Sequence, residues 1–182
     1  YSYLMSASLF LKVYIKSRAA VPLNLFDVCF TTDTITTGSL GLFGTYDYTI
    51  GNSTDKEKKV SIVEALTWAH EYLETKTNTT IRPITYSFPC NGTDFSSWIE
   101  LIRLMDDDYC DWDVIMHEYG HFVEHCLGFS SGSGGDHSGQ DSLSEERNDF
   151  NDGNGTAWSE GFATYFSMSC QNEMQLDKLN IL

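Results

Sequence analysis

Hydrophobic and polar positions along the first half of the chain change period several times, and each period predicts an element. The segment Ser8-Leu9-Phe10-Leu11-Lys12-Val13-Tyr14-Ile15 is rich in β-forming residues and predicts a strand. Leu25-Phe26-Asp27-Val28-Cys29-Phe30 alternates and predicts a second one. A Thr- and Gly-rich stretch from Thr31 to Gly51 predicts turns or a hairpin. From Asp55 to Lys76 the apolar residues Val60, Val63, Leu66, Trp68 and Leu73 predict a helix of about twenty residues. Ile81 to Phe88 predicts an edge strand, because Pro83 has no N–H to give a ladder. Trp98 to Leu104 fits a strand or a short helix, and the strand is preferred.

Two helical patterns follow. Asp111-Trp112-Asp113 opens the first with a choice of acidic N-caps, Gly128 closes it, and Val114, Ile115, Phe122 and Leu127 offer an apolar flank. That predicts a helix of about sixteen residues. The second, Ala157-Trp158-Ser159-Glu160-Gly161-Phe162-Ala163-Thr164-Tyr165-Phe166, is introduced by the turn-rich run Asp152-Gly153-Asn154-Gly155-Thr156. Trp158, Phe162 and Phe166 would pack it. Between the helices, Phe129 to Thr156 is rich in Ser, Gly, Asp and Asn, as an exposed loop would be.

The first of these helices carries the chemistry. It contains His117-Glu118-Tyr119-Gly120-His121. On an α-helix each residue advances about 100°, so His117 and His121 stand about 40° apart and one turn along the axis, close enough to share a metal ion. Glu118 is turned about 100° from His117, beside the pair, where it can hold a water as general base instead of binding the ion. A catalytic zinc site wants three protein ligands and an open position. Glu160, early in the second helix, is the best third ligand. The competing readings are a solvated histidine pair and, for Glu160, a charge that merely complements a helix N-terminus.

HEYGH followed by WSEGFATYF resembles the gluzincins, zinc metallopeptidases with two histidine ligands from HExxH and a glutamate ligand from a following helix. By position, the resemblance implies His117, His121 and Glu160 as ligands of Zn2+, with Glu118 as the general base that hydrolyses a peptide bond. It covers roughly residues 114 to 166. It also implies a zincin-like α+β fold: an N-terminal mixed sheet with a long helix, then the HExxH helix and a second ligand helix. In such peptidases the sheet lies above the zinc helix and its edge strand binds extended substrate. They usually continue into a helical subdomain, so the chain reads as a fragment lacking the C-terminal subdomain, in keeping with a start at Tyr1 instead of Met. One domain is expected over residues 1–182, with a sheet-containing part at 1–110 and the zinc helices and loop at 111–182.

The chain departs from the family pattern in two places. The interval from His121 to Glu160 is longer than usual, as a loop insertion would make it. Thr164 stands one turn after Glu160, where some members carry an acid that orients a zinc histidine; Asp136, Asp141 and Glu145 are possible substitutes. Among the other histidines, His125 lies about 12 Å along the axis from His117, too far to share its metal. His137 is the rival third ligand, although a three-histidine site of the metzincin kind would need histidine where Leu127 stands. A donor for the transition-state oxyanion is not assignable, and Tyr119 and Tyr165 read as packing residues.

Composition narrows the partners. With 41% hydrophobic and 14% aromatic residues, the 182-residue chain suits a globular core. A net charge of −15 disfavours nucleic-acid backbones and anionic lipid, and suits a cationic peptide. The acids Asp106, Asp107, Asp108, Asp111 and Asp113 read as a solvated face or as a steering field. No stretch reaches membrane-spanning length. The cysteines, at 29, 90, 110, 126 and 170, form no CxxC pair, which argues against a finger-type zinc, and sequence cannot choose a disulfide connectivity. Sequons at Asn52, Asn78, Asn91 and Asn154 favour a secreted or cell-surface protein. Two further classes stay open: a zincin-fold binding module without activity, and a calcium-binding structural domain around Asp149, Asn151, Asp152 and Asn154.

Overall fold

A computed structural model describes residues 8–9, 12–24, 29–31, 35–36, 54–129 and 150–180. Within them the protein is α+β, with a small mixed sheet and three helices.

The sheet has the order β3-β6-β8-β7, made of β3 (Ala20–Pro22), β6 (Ile84–Cys90), β8 (Leu101–Met105) and β7 (Asp94–Ser96). β3, β6 and β8 run parallel, and β7 returns antiparallel to β8 at the edge. Two short antiparallel pairs precede it: β1 (Ser8–Leu9) with β5 (Ile35–Thr36), and β2 (Lys12–Tyr14) with β4 (Cys29–Thr31). β1 and β2 lie on the course of the strand expected over Ser8 to Ile15, residues 10 and 11 being outside the described ones. That expected from Leu25 to Phe30 overlaps β4 at its end, residues 25–28 lying outside the described ones. Most of the turn-rich stretch 31–51 also lies outside them.

β6 corrects the edge-strand expectation. It begins after Pro83 and is an interior strand, paired on both sides. Proline just before the first ladder position withholds no N–H that the sheet requires, so the residue that argued for an edge only marks the start. Ile84, Tyr86 and Phe88 alternate into the core as a period of two demands. The last strand is β8, as preferred over a helix, but it starts at Leu101; Trp98 sits in the preceding turn, 93% exposed.

Helix α1 (Asp55–Thr77) forms where the apolar spacing predicts it. Thr54 and Glu57 close a capping box at its start, and Asn78 ends it in the left-handed conformation. Its stripe of Ile62, Leu66, Ala69 and Leu73 is buried and joins Tyr86, Ile102 and Leu104 of the sheet in one core. A 3-10 turn, Asp106–Cys110, leads from β8 into α2 (Trp112–Leu127), which runs against α1 and the sheet. Helix α3 (Phe150–Asn180) packs along α2. The run from Asp152 to Thr156, expected as a turn, belongs to α3. Each glycine costs a helix only about 1 kcal/mol, and Gly155 and Thr156 are buried, so tertiary packing outweighs the local preference. No helix among the described residues is long and apolar enough to cross a membrane.

Candidate metal centre

The position of α2 is fixed from both ends and from behind. The Asp111 side chain accepts from Val114 N–H at the N-cap, and Gly128 in the left-handed region terminates the last turn. Trp112 Nε1 donates to Ser61 Oγ of α1 at 3.0 Å. Ile115, Met116, Tyr119, Phe122 and Val123 are buried, whereas Val114 is half-buried and Leu127 exposed, so the apolar flank is shifted from the one predicted. Tyr119, inside the motif, points away from solvent: its hydroxyl lies 2.8 Å from His70 Nδ1, with both residues in the core.

With that face buried, His117 and His121 emerge half-buried on the side that meets α3. Gly120 lets α3 approach. A Cβ there would stand 2.8 Å from Ala163 Cα, which no packed atom tolerates. The close crossing brings Glu160 onto the histidines. His117 Nε2 is 3.1 Å from Glu160 Oε2, His121 Nε2 is 3.3 Å from Glu160 Oε1, and the two Nε2 atoms are 3.1 Å apart. Phe162 and Phe166 hold α3 in place by packing with Phe129, Tyr72 and Tyr119, while Trp158 is exposed instead of joining them.

These separations test the fit to a metal. Ligand atoms about 2.0–2.1 Å from a tetrahedral zinc stand about 3.3 Å from one another, close to all three observed distances. Two imidazoles and one carboxylate are also a donor set zinc accepts. His117, His121 and Glu160 form the one such group among the described residues. Electrostatics agrees: burial alone would raise the Glu160 carboxyl, but hydrogen bonds from His117 and His121 outweigh it and hold the group well below the carboxylate range. Conversely, burial lowers His121, and the neighbouring Glu160 more than restores it, so its net shift is upward. Burial pushes Glu118 above its usual range, against the pull of His121 and His117, which moves a would-be base nearer neutrality.

The outer contacts include residues the sequence reading missed. Thr164 Oγ1 lies 3.3 Å from His117 Nδ1, at the position where some gluzincins carry an acid. Ser159 Oγ lies 3.1 Å from His121 Nδ1 and donates to Glu124 Oε2 at 2.6 Å. The available signals were local: Glu124 is three residues after His121 on the same helix, and Ser159 precedes Glu160. His125 turns away, its Nε2 3.2 Å from Glu100 Oε1, in a cluster with Arg82. Hydrogen bonding to Arg82 holds the Glu100 carboxyl down at about 2. Tyr165 is exposed, not packed. His137, Asp136, Asp141, Glu145 and Asp149 lie outside the described residues, and Asn151, Asp152 and Asn154 stand on the helical backbone of α3, not in a calcium-type loop. All five cysteines are unbridged.

Compared with protein-family models, curated proteins and solved structures, the chain matches none.

Proposed function

We propose that the chain is a zinc-dependent metallopeptidase of the gluzincin kind, with a zincin-like fold. The observation that carries the reading is the convergence of His117 Nε2, His121 Nε2 and a Glu160 oxygen, with Glu118 on the next residue of the same turn. His117, His121 and Glu160 would hold the ion. Bound zinc supplies Lewis acidity for a scissile carbonyl and acidifies a water. Glu118, raised by burial, takes the proton of the attacking water and returns it to the leaving amine. The polar contacts at both Nδ1 atoms keep the imidazoles oriented, and the packing of α2 leaves the base half-buried.

Peptide as substrate is supported by two features. Among the described residues β7 has no strand beyond it, and this edge of the sheet, beside α2, suits an extended chain adding as a further strand. The net charge of −15 favours cationic peptides. A secreted or cell-surface setting is supported by the exposure of the described sequon asparagines, Asn78, Asn91 and Asn154.

Replacing the base separates catalysis from metal binding. Glu118→Gln is expected to cut hydrolysis of a mixed peptide library by about a thousandfold while zinc content stays unchanged. Residual activity near wild type would remove Glu118 from the mechanism, and wild-type protein that holds zinc without cleaving any peptide would mark a binding module.

A further inference from the structure

The least expected side chain beside the metal centre is Glu124. It is 1% exposed, and its Oε1 has no hydrogen-bond partner among the described residues. A buried carboxylate costs several kcal/mol unless something answers it, and an apolar side chain of similar volume at this place on α2 would avoid that cost. What answers it here is a serine and, behind the serine, a proposed metal ligand. Ser159 Oγ lies 2.6 Å from Glu124 Oε2 and 3.1 Å from His121 Nδ1, while Glu124 Oε2 itself is 3.6 Å from Nδ1, too long for a direct hydrogen bond.

With Glu124 ionised, hydrogen-bond direction along this chain has one solution at Nδ1 of His121. A carboxylate only accepts, so the single hydroxyl proton of Ser159 points at Glu124. The serine oxygen is left with lone pairs alone, and the partner at 3.1 Å must bring the proton. Nδ1 of His121 therefore carries N–H, and when Nε2 gives up the proton it shares with Glu160, the lone pair released points to where His117 Nε2 and Glu160 converge. His117 is served differently: among the described residues its Nδ1 meets the neutral hydroxyl of Thr164.

We infer that Glu124 and Ser159 are a positioning relay that fixes the tautomer and ring orientation of His121 for metal binding, a role for which neither residue is marked by the HExxH pattern. Both act through His121, and neither touches the reacting atoms. The purpose of the relay rests on the metal reading above, but its hydrogen-bond order does not.

The test therefore has one arm with zinc and one without. In competition between the full chain and a chromophoric chelator for added zinc chloride, Glu124→Gln and Ser159→Ala are each expected to weaken affinity by about 10- to 100-fold. The double variant should lose no more than the worse single one, because both changes break the same chain. In the zinc-free Glu160→Ala chain, which removes the carboxylate acceptor at Nε2 and leaves there only the His117 ring, histidine nitrogen NMR at alkaline pH should show His121 protonated at Nδ1. Adding Ser159→Ala to it should shift the ring toward the Nε2–H form. Zinc affinity within twofold of wild type in both single variants, or an Nε2–H tautomer with Ser159 present, would overturn the relay. A wild-type chain that binds no zinc yet shows the Nδ1–H tautomer would sustain the relay and sink the zinc reading. Should Glu124→Gln not fold, the half-buried Ser159→Ala decides alone.

Discussion

At the scale of single residues, the site rests on a division of labour along one turn of α2. His117 and His121 face α3, Tyr119 faces the core, and Glu118 is half-buried between the two environments. The spacing that brings His117 and His121 together was legible in the sequence because it depends on helix geometry alone. The contacts at the far ring nitrogens were not, since they depend on which residues α3 brings across. Thr164 illustrates the difference: sequence places it one turn after Glu160, yet only packing sets its hydroxyl 3.3 Å from His117 Nδ1. Thr164→Val should weaken zinc binding by about tenfold in a chelator competition, and an unchanged affinity would leave that contact without a role. His70 offers a test by pH. Burial pushes its imidazole below the ordinary value of 6.5, so the unfolded chain binds the proton more readily than the folded one. The neutral-state stability is then complete above about pH 6.5 and declines as pH falls below it toward the folded value. Urea midpoints measured on either side of that value should drop more in the wild type than in His70→Gln, and parallel drops would refute the assignment.

At the scale of elements, α1 and α2 were readable because their apolar period, caps and stops agree with one another. β6 and the start of α3 depart from their local signals because packing overrides them. Pro83 lay just outside its strand, and the Gly- and Asn-rich run lay inside a helix held by its neighbour. Gly120 shows how much the crossing of α2 and α3 depends on a missing side chain. Gly120→Ala must displace backbone at Ala163, and with it Glu160. We expect a loss of about 1–3 kcal/mol in urea unfolding, net of any gain in helix propensity, together with weaker zinc binding. Gly161→Ala is the control: nothing lies within 4 Å of its would-be Cβ, so removing a glycine there should stabilise by up to about 1 kcal/mol. Equal effects at the two glycines would contradict the close-crossing account.

At the scale of the whole molecule, a mixed sheet, α1 and the α2–α3 pair share one core, and the candidate centre lies at the seam between the two helices that supply it. Alternating strands and amphipathic helices made the α+β class legible. The order of the sheet was not, because strands as short as three residues carry little period and are joined by partners distant in sequence. A candidate ligand set drawn from two helices has a consequence for the whole fold, since a bound ion would cross-link α2 to α3. Ligand that binds only the folded chain stabilises it by about 4 kcal/mol at a thousandfold excess over Kd, so a chelator should lower Tm and zinc should restore it. The most direct measurement is the metal content of the chain after loading with zinc and dialysis, made side by side on wild type and Glu160→Ala. The account predicts one zinc per wild-type chain and almost none in the variant; a wild type without zinc, or a variant that keeps a full equivalent, would contradict it.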